Sequence, residues 1–296
     1  MKVAVTGASG RLGRLVAETL LERLDPHDVV LISRDPDGLS EFADRGASVR
    51  FGDFDHADSL AAALSGADRL FLISTGSVGA RVGQHAAAID AARRAGVRSI
   101  AYTSMINPSD SNPVFLGADH RATEDLLRGS GCEWTLLRNA MYTEMLVADA
   151  SRAIVTGRLV TNAGEGRNSY VARGDCAAAA AAVLSTEGHA GKTYDITGGQ
   201  ALSVSDVALL ISELADVDVD VQQLDDEDWI AAMVTHAGMP EATARAYSTL
   251  GAATRAGYLA PVSHAVSDLT GRAPITAHEV LARHLADLRS PTSAKG

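Results

Sequence analysis

The run Thr6-Gly7-Ala8-Ser9-Gly10-Arg11-Leu12-Gly13 sets three glycines three residues apart, between an apolar stretch and an amphipathic one. A glycine at the first of these positions permits a tight strand exit. The second lets backbone approach a pyrophosphate, and the third lets helix and strand pack closely. The helix that follows turns its free N–H groups and the positive end of its dipole toward phosphate. Gly7, Ala8, Ser9, Gly10, Arg11, Leu12 and Gly13 are therefore the candidate cradle for the pyrophosphate of a dinucleotide. A three-glycine turn can also be purely structural, but a strand before it and a helix and second strand after it favour binding.

About 20 residues further on, a dinucleotide fold places the residue that reads the adenosine ribose. The run Val29-Val-Leu-Ile-Ser33 ends at Arg34, where an Asp or Glu would accept from a ribose 2′-OH. A guanidinium at Arg34 can pair bidentately with a 2′-phosphate, with Ser33 adding a hydroxyl and Arg11 or Arg14 a second charge. Against this, Asp35 can turn back to the ribose and Arg34 can be a solvated surface residue. NADP(H) is the preferred cofactor, with NAD(H) as the alternative.

Asp53 and Phe54 can bracket the adenine with a carboxylate and a ring, or Asp53 can simply cap the next helix. The small residues Ser74, Thr75 and Gly76 allow the chain to pass close to the ribose and nicotinamide. Proton-relay chemistry of the Tyr-x-x-x-Lys kind is missing. The chain has three lysines, Lys2, Lys192 and Lys295, and none follows a tyrosine by four. A lysine-free site can still pass a hydride to an acceptor that needs little acid help, or bind the nucleotide without chemistry.

These residues need a scaffold, and the first 140 residues supply its rhythm. Val3–Val5, Val29–Ile32, Val49–Phe51, Leu70–Ile73, Ile100–Thr103 and Thr135–Leu137 read as strands, mostly apolar throughout, as parallel strands buried on both faces are. Leu12, Leu15, Val16, Leu20 and Leu24 form one helical stripe, and further helices are expected at Ser59–Leu64, Ala80–Arg94 and Ala122–Leu127. The alternation specifies an α/β Rossmann fold, a doubly wound parallel sheet. Residues 1–140, with a return at about 172–200, are the expected dinucleotide-binding core. Residues 141–296 are the expected smaller, helix-rich substrate-side region. There, Tyr142–Val155 reads as a helix, Asp175 as the N-cap of a helix at Cys176–Leu184, and Thr193–Ile196 as a strand. Ser203 and Thr276 read as helix starts, and Arg289–Gly296 as a frayed end.

Bulk properties narrow the partners. The net charge of −11 argues against direct nucleic-acid contact, which needs clustered positive charge, and against an acidic membrane surface. Aromatics are only 4%, so Ala, Val and Leu must fill the core. Cys132 and Cys176 offer neither a disulfide framework nor a metal set and read as small buried hydrophobes. With no signal peptide and no membrane span in view, a cytoplasmic protein is expected, as a homodimer or with a protein partner.

Beyond the glycine motif, Tyr102-Thr-Ser104, Ala118-Asp-His120 with Thr123-Glu124, Leu136-Leu-Arg-Asn139 with Tyr142 and Glu144, Ala172-Arg-Gly-Asp175 and Leu269-Thr-Gly-Arg272 carry a likeness over nearly the whole chain. It resembles the NmrA-like atypical short-chain dehydrogenases and, among them, the bacterial type 2 group of NADPH-dependent quinone oxidoreductases. The resemblance implies that Gly7 to Leu12 hold the pyrophosphate and Arg34 the 2′-phosphate. It sets Ser74, Thr75, Gly76, Asn139, Ala140, Met141, Tyr142, Thr143, Glu144, Ala172, Arg173 and Gly174 around the nicotinamide half. Where relatives often carry Gly-Trp after the asparagine, this chain has Ala140-Met141.

Asn139, Tyr142 and His120 are the candidate catalytic residues: an amide that donates and accepts, a ring that stacks or donates, and an imidazole suited to proton transfer near neutral pH. Each also has a bland alternative, as helix cap or core packing. The function this implies is NADPH-dependent hydride transfer to a small quinone-like or other conjugated acceptor. The alternative is a catalytically silent redox sensor that binds NADP and signals through a protein partner. A nucleotide-sugar epimerase is a third reading and suffers from the missing Tyr-x-x-x-Lys.

Overall fold

The computed structural model describes residues 1–289. The chain runs β1 (Val3–Thr6), α1 (Arg11–Leu21), β2 (Val29–Ser33), α2 (Ser40–Asp44), β3 (Ser48–Phe51), α3 (Ala57–Ala63), β4 (Arg69–Leu72), α4 (Arg81–Arg94), β5 (Ser99–Met105), α5 (Gly117–Arg128) and β6 (Glu133–Asn139). It continues through α6 (Leu146–Thr156), β7 (Arg158–Thr161), β8 (Arg167–Asn168), α7 (Arg173–Ser185), β9 (Lys192–Ile196), β10 (Leu202–Ser203), α8 (Val204–Ala215) and β11 (Asp220–Gln223). Four helices close the described chain: α9 (Asp226–Ala237), α10 (Glu241–Arg255), α11 (Ala265–Thr270) and α12 (Ala277–Arg289).

Seven parallel strands in the order β3-β2-β1-β4-β5-β6-β9 form the central sheet. Every position of β1, β2 and β4 is buried, which is why their sequences run apolar without alternation. Val3 and Val5 face one cluster with α1 and α7, while Ala4 faces the other with α3, α4 and α5. The strand order reverses direction between β1 and β4, so the crevice outside their C-terminal ends is where such folds bind ligands.

Two charged side chains are buried to hold this sheet to its helices. Arg69, 4% exposed, donates to the carbonyls of Val183, Leu184 and Thr186 and pairs with Glu187, so a guanidinium sits at the negative end of α7. Glu124, 1% exposed, accepts from Ser104 Oγ at 2.7 Å, from Arg138 through a fork of 2.8 and 2.7 Å, and from Arg128 at 2.9 Å. Those four donors fill the carboxylate and lock α5 onto β5 and β6. Burial alone would raise the Glu124 pKa, yet the bonds from Arg138 and Ser104 hold it below the ordinary value.

The remaining elements build a second layer of packing. β7 pairs with β11 in parallel, β8 with β10 antiparallel, and α6, α8 and α12 close around Leu146, Ala150, Leu159, Ile211 and Leu281. The starts read at Ser203 and Thr276 are capping boxes: Asp206 and Glu279 return hydrogen bonds to Ser203 and Thr276.

Several expectations need correction. Asp175 is not an N-cap. α7 starts at Arg173, and Asp175 is buried in its first turn, accepting from Ile275 N–H at 2.7 Å and forming an ion pair with Arg272 at 2.6 Å. Glu144 reaches across from outside the helix and accepts the Arg173 N–H at 3.0 Å instead. The helix read at Tyr142–Val155 begins later. Backbone bonds from Val171 to Met141 and from Thr143 to Val171, both 2.9 Å, hold Tyr142 extended, and α6 proper starts at Leu146. β11 was unread because Asp220-Val-Gln-Gln is mostly polar and exposed. The stretch Arg289–Gly296 lies, beyond Arg289, outside the described residues. No described helix is long and apolar enough to cross a membrane.

Removing the central carboxylate tests this packing. Glu124→Ala leaves Arg138, Arg128 and Ser104 facing an empty acceptor, and should cost about 3 kcal/mol. The expected result is a lower urea midpoint with an unchanged slope. A midpoint equal to wild type would show that the network adds nothing to stability.

Candidate functional site

Gly7 takes φ +63°, a left-handed turn that a side chain would strain, and swings the chain from β1 toward α1. A Cβ on Gly13 would stand 2.3 Å from the Gly7 carbonyl oxygen and 2.7 Å from the Ala8 Cα. Only glycine lets the first turn of α1 rest on this loop. Gly10 is the N-cap and no side chain caps the helix, so its first N–H groups stay free beside the strand ends. Ser9 Oγ accepts from Ser33 Oγ at 2.9 Å, tying the loop to the end of β2.

The ribose-reading residues separate by partner. Arg34 and Arg11 are exposed and have no carboxylate partner among the described residues. Arg14 is committed to Glu41 and to the Gly38 carbonyl at 2.7 Å, so it is not the free second charge. Asp35 accepts the Gly38 N–H at 3.3 Å and is held in its own turn. Asp53 accepts from Asp55 N–H at 3.1 Å and from His56 at 3.3 Å. Its pKa lies below the ordinary value, chiefly through the Asp55 bond, with Arg34 among the smaller causes. The N-cap of α3 is His56, so Asp53 closes the turn before the helix rather than capping it. Phe54 stands edge-on to His85 at 6.4 Å.

The loop after β4 is pinned from behind. Ser74 N–H donates to Thr103 Oγ1 at 2.7 Å, and Thr75 N–H donates to His85 Nε2 at 3.0 Å. His85 Nδ1 lies 2.9 Å from Thr123 Oγ1, which itself donates to the Asp119 carbonyl. That order of donors assigns the neutral tautomer with its proton on Nδ1. Burial, then the nearby Arg81 charge, lowers the His85 pKa to about 4.

His120 is placed elsewhere than at the strand ends. It is 6% exposed, with Nδ1 2.9 Å from the Tyr102 hydroxyl and Nε2 3.3 Å from Arg81. Burial, followed by the charge of Arg81, lowers its pKa to about 3.

At the end of β6, Asn139 Nδ2 donates to the Tyr142 hydroxyl at 3.3 Å, while Asn139 Oδ1 is buried without a partner among the described residues. Thr75 Oγ1 and Thr143 Oγ1 are buried and unpartnered in the same way. Arg173 lies 4.8 Å over the Tyr142 ring, and burial raises the Tyr142 pKa, so its phenol stays protonated. Ala172, Arg173 and Gly174 open α7, joined to this corner through Glu144. The glycine loop, Arg34, Asp53–Phe54, Ser74–Gly76 and Asn139–Glu144 thus share one edge of the sheet. A nicotinamide dinucleotide fits that edge. The uncapped helix and glycine cradle suit its phosphates, and the unpartnered Asn139 and Thr75 oxygens suit polar groups of its nicotinamide half.

A cavity of about 640 Å³ begins beside this corner, at Met141. Its walls come from α6, β7, α9 and α10 with parts of β8, α8 and β11, and Met145, Trp229, Met233 and Tyr247 are among the lining side chains. Of the site residues read from the sequence, only Met141 lines it. The others carry no motif: they are scattered over a hundred residues, at spacings that read as ordinary helix packing.

The chain matches the NAD(P)H-binding family over residues 7–187. It is 36% identical over 277 residues to quinone oxidoreductase 2 of Escherichia coli, covering 94% of this chain and 96% of that one. It is 32% identical to the NAD(P)H azoreductase of Xenophilus azovorans, over 96% of this chain and 98% of that one. The crystal structure of an Escherichia coli NADPH-dependent quinone oxidoreductase in complex with NADPH superposes with a TM-score of 0.92 at 35% identity, covering 96% of this chain and 99% of that one.

The two buried histidines make stability depend on pH with a definite sign. Their folded values, about 4 and about 3, lie below the 6.5 of a free imidazole, so the unfolded chain takes up protons first. Their contribution is complete above pH 6.5 and is lost as pH falls toward 4. At about pH 5 each should cost about 2 kcal/mol. Denaturant titrations at neutral pH and near pH 5 read this directly, and His120→Asn should lose roughly half of the difference. Equal stabilities at both pH values would show that neither histidine is held neutral.

Proposed function

The chain belongs to the NAD(P)H-binding family, and from that premise we propose that it transfers a hydride from NADPH to a quinone-like or other conjugated acceptor. It is an NAD(P)H-dependent oxidoreductase related to quinone reductases and azo reductases, with NADP(H) as its cofactor. The observation that carries the finer reading is the cavity of about 640 Å³ whose lining includes Met141, two residues after Asn139 ends β6. A sensor that binds the nucleotide without turnover needs no space for a second molecule there.

Bound NADPH supplies the hydride. The protein's part is to bind, orient and dry the site. The free N–H groups of α1 hold the pyrophosphate, and Arg34, with Arg11 beside the cradle, holds the 2′-phosphate. Thr75, placed by His85, and Asn139, whose Oδ1 is free to accept, orient the nicotinamide half. The protonated Tyr142 hydroxyl is placed to donate to an acceptor oxygen, and the methionines of the cavity exclude water around a flat apolar ring. His120 has no part in this reading, because a neutral imidazole with both nitrogens engaged has no proton to lend. The proton that completes reduction comes from solvent. Geometry does most of the work by holding donor and acceptor at about 3–3.5 Å. In this reading residues 1–140 with 172–200 bind the nucleotide, and 141–296 form the acceptor side.

Nicotinamide oxidation followed by absorbance, across a panel of quinones and azo compounds, tests the activity beside direct NADPH and NADH titrations. Turnover with an NADPH preference is expected; tight binding with no turnover on any acceptor would select the sensor. Arg34→Ala should weaken NADPH about 10- to 100-fold, the size of a charge-assisted pair, and NADH far less. Equal losses for both would remove Arg34 from the 2′-phosphate.

A further inference from the structure

Helix α6 and Met145, the residue before it, form one wall of the cavity, with Leu146 and Ala148 beside a row of lining residues along the helix. Met145, Asp149, Arg152 and Thr156 recur at intervals of four, three and four. At 1.5 Å per residue, Arg152 stands roughly 10 Å farther along this wall than Met145. Gly157 then turns the chain at φ +68°, and Arg158, the next residue, lines the same cavity at the start of β7. The end near Met141 and Met145 is apolar, whereas the end near Arg152 and Arg158 is charged.

The charges at that far end do not cancel. Arg152 pairs with Asp149 at 3.2 Å. The Arg158 guanidinium is exposed and makes no hydrogen bond or ion pair with any described side chain. Two arginines against one aspartate make a positive pole inside a chain whose net charge is −11. A guanidinium with no carboxylate partner is free to form a charge-assisted pair with an anion.

We propose that the acceptor carries an anionic substituent (a carboxylate, sulfonate or phosphate) roughly 10 Å from its reducible bond, and that Arg158, with Arg152 beside it, reads that group. The inference rests on the acceptor-cavity reading above and adds to it the charge and length of the molecule that fits.

A matched pair tests it: a phenolic azo compound whose other arm is a biphenyl ending in a 4-carboxylate, roughly 10 Å from the azo bond, and its methyl ester, which differ in charge and little in shape. Both are titrated by absorbance into the NADP⁺-saturated protein and then offered as acceptors with NADPH. The carboxylate should bind about tenfold tighter than the ester. In Arg158→Ala its affinity should fall toward that of the ester, in Arg158→Lys it should keep part of the preference, and in Arg158→Glu the order should invert. Equal binding of the two compounds to the native protein, or equal weakening of both by Arg158→Ala, would overturn the proposal. So would binding of neither. The two readings fail separately. Preferential binding without reduction leaves the anion site standing and removes the reductase; reduction of both compounds with equal affinity does the reverse.

Discussion

The absence of a side chain at Gly13 is the constraint on which the site depends. With the Gly7 carbonyl oxygen 2.3 Å from where a Cβ would stand, any larger residue must push α1 away from the turn that leaves β1. That displacement would carry off the free N–H groups at the helix start, loosen the link from Ser9 to Ser33, and open the packing of Leu12 and Val16 on the sheet. In the proposed reading, phosphate binding and core formation therefore rest on one close contact. The rest of the Rossmann edge is arranged around it, with the strand order reversing between β1 and its neighbour β4.

Behind that edge lies a layer of buried polar groups joined by hydrogen bonds. His85 and Thr123 hold the Thr75 amide, and Glu124 gathers Ser104, Arg138 and Arg128. Glu144 caps α7 from the loop after β6. Among the described residues, buried oxygens without a hydrogen bond remain on Gln84, Asp175 and Asp195 and also on Asn139, Thr75 and Thr143, and these last three lie at or just after the strand ends that face the nicotinamide half in the proposed reading. Such a site is rigid where it positions and unsatisfied where it binds. It fits a reaction whose demand is alignment of two flat rings and not the timing of an internal acid, since the histidines nearest by are held neutral in the core.

Much of this was legible in the residues. Continuous apolar runs announce a sheet covered on both faces, and glycines at three-residue spacing between strand and helix announce the phosphate cradle. Arg34 stands out as the basic residue that follows β2, and its part in holding a 2′-phosphate belongs to the proposed reading. The rest depended on contacts that no local pattern encodes. That Arg14 is consumed by Glu41, and that Glu144 and not a residue next to the helix caps α7, follow from pairs 27 and 29 residues apart. His120 looked like a proton carrier because its type suits that task, and only its burial between Tyr102 and Arg81 shows it neutral. The cavity was invisible because its walls are spread over seven elements, α6, β7, β8, α8, β11, α9 and α10, each reading as ordinary helix or short strand.

The central claim is that hydride passes directly from the bound nicotinamide to an acceptor lying in the cavity that begins at Met141. Its most direct test is a single-turnover experiment with NADPH deuterated at C4 on one face or the other, using an acceptor that the protein reduces. A cavity on one side of the ring predicts slower transfer with one of the two labelled forms and an unchanged rate with the other. Equal rates for both would mean that hydride transfer does not limit the step. Loss of deuterium from both faces would mean that the ring is not held against a single wall, and the account would fail.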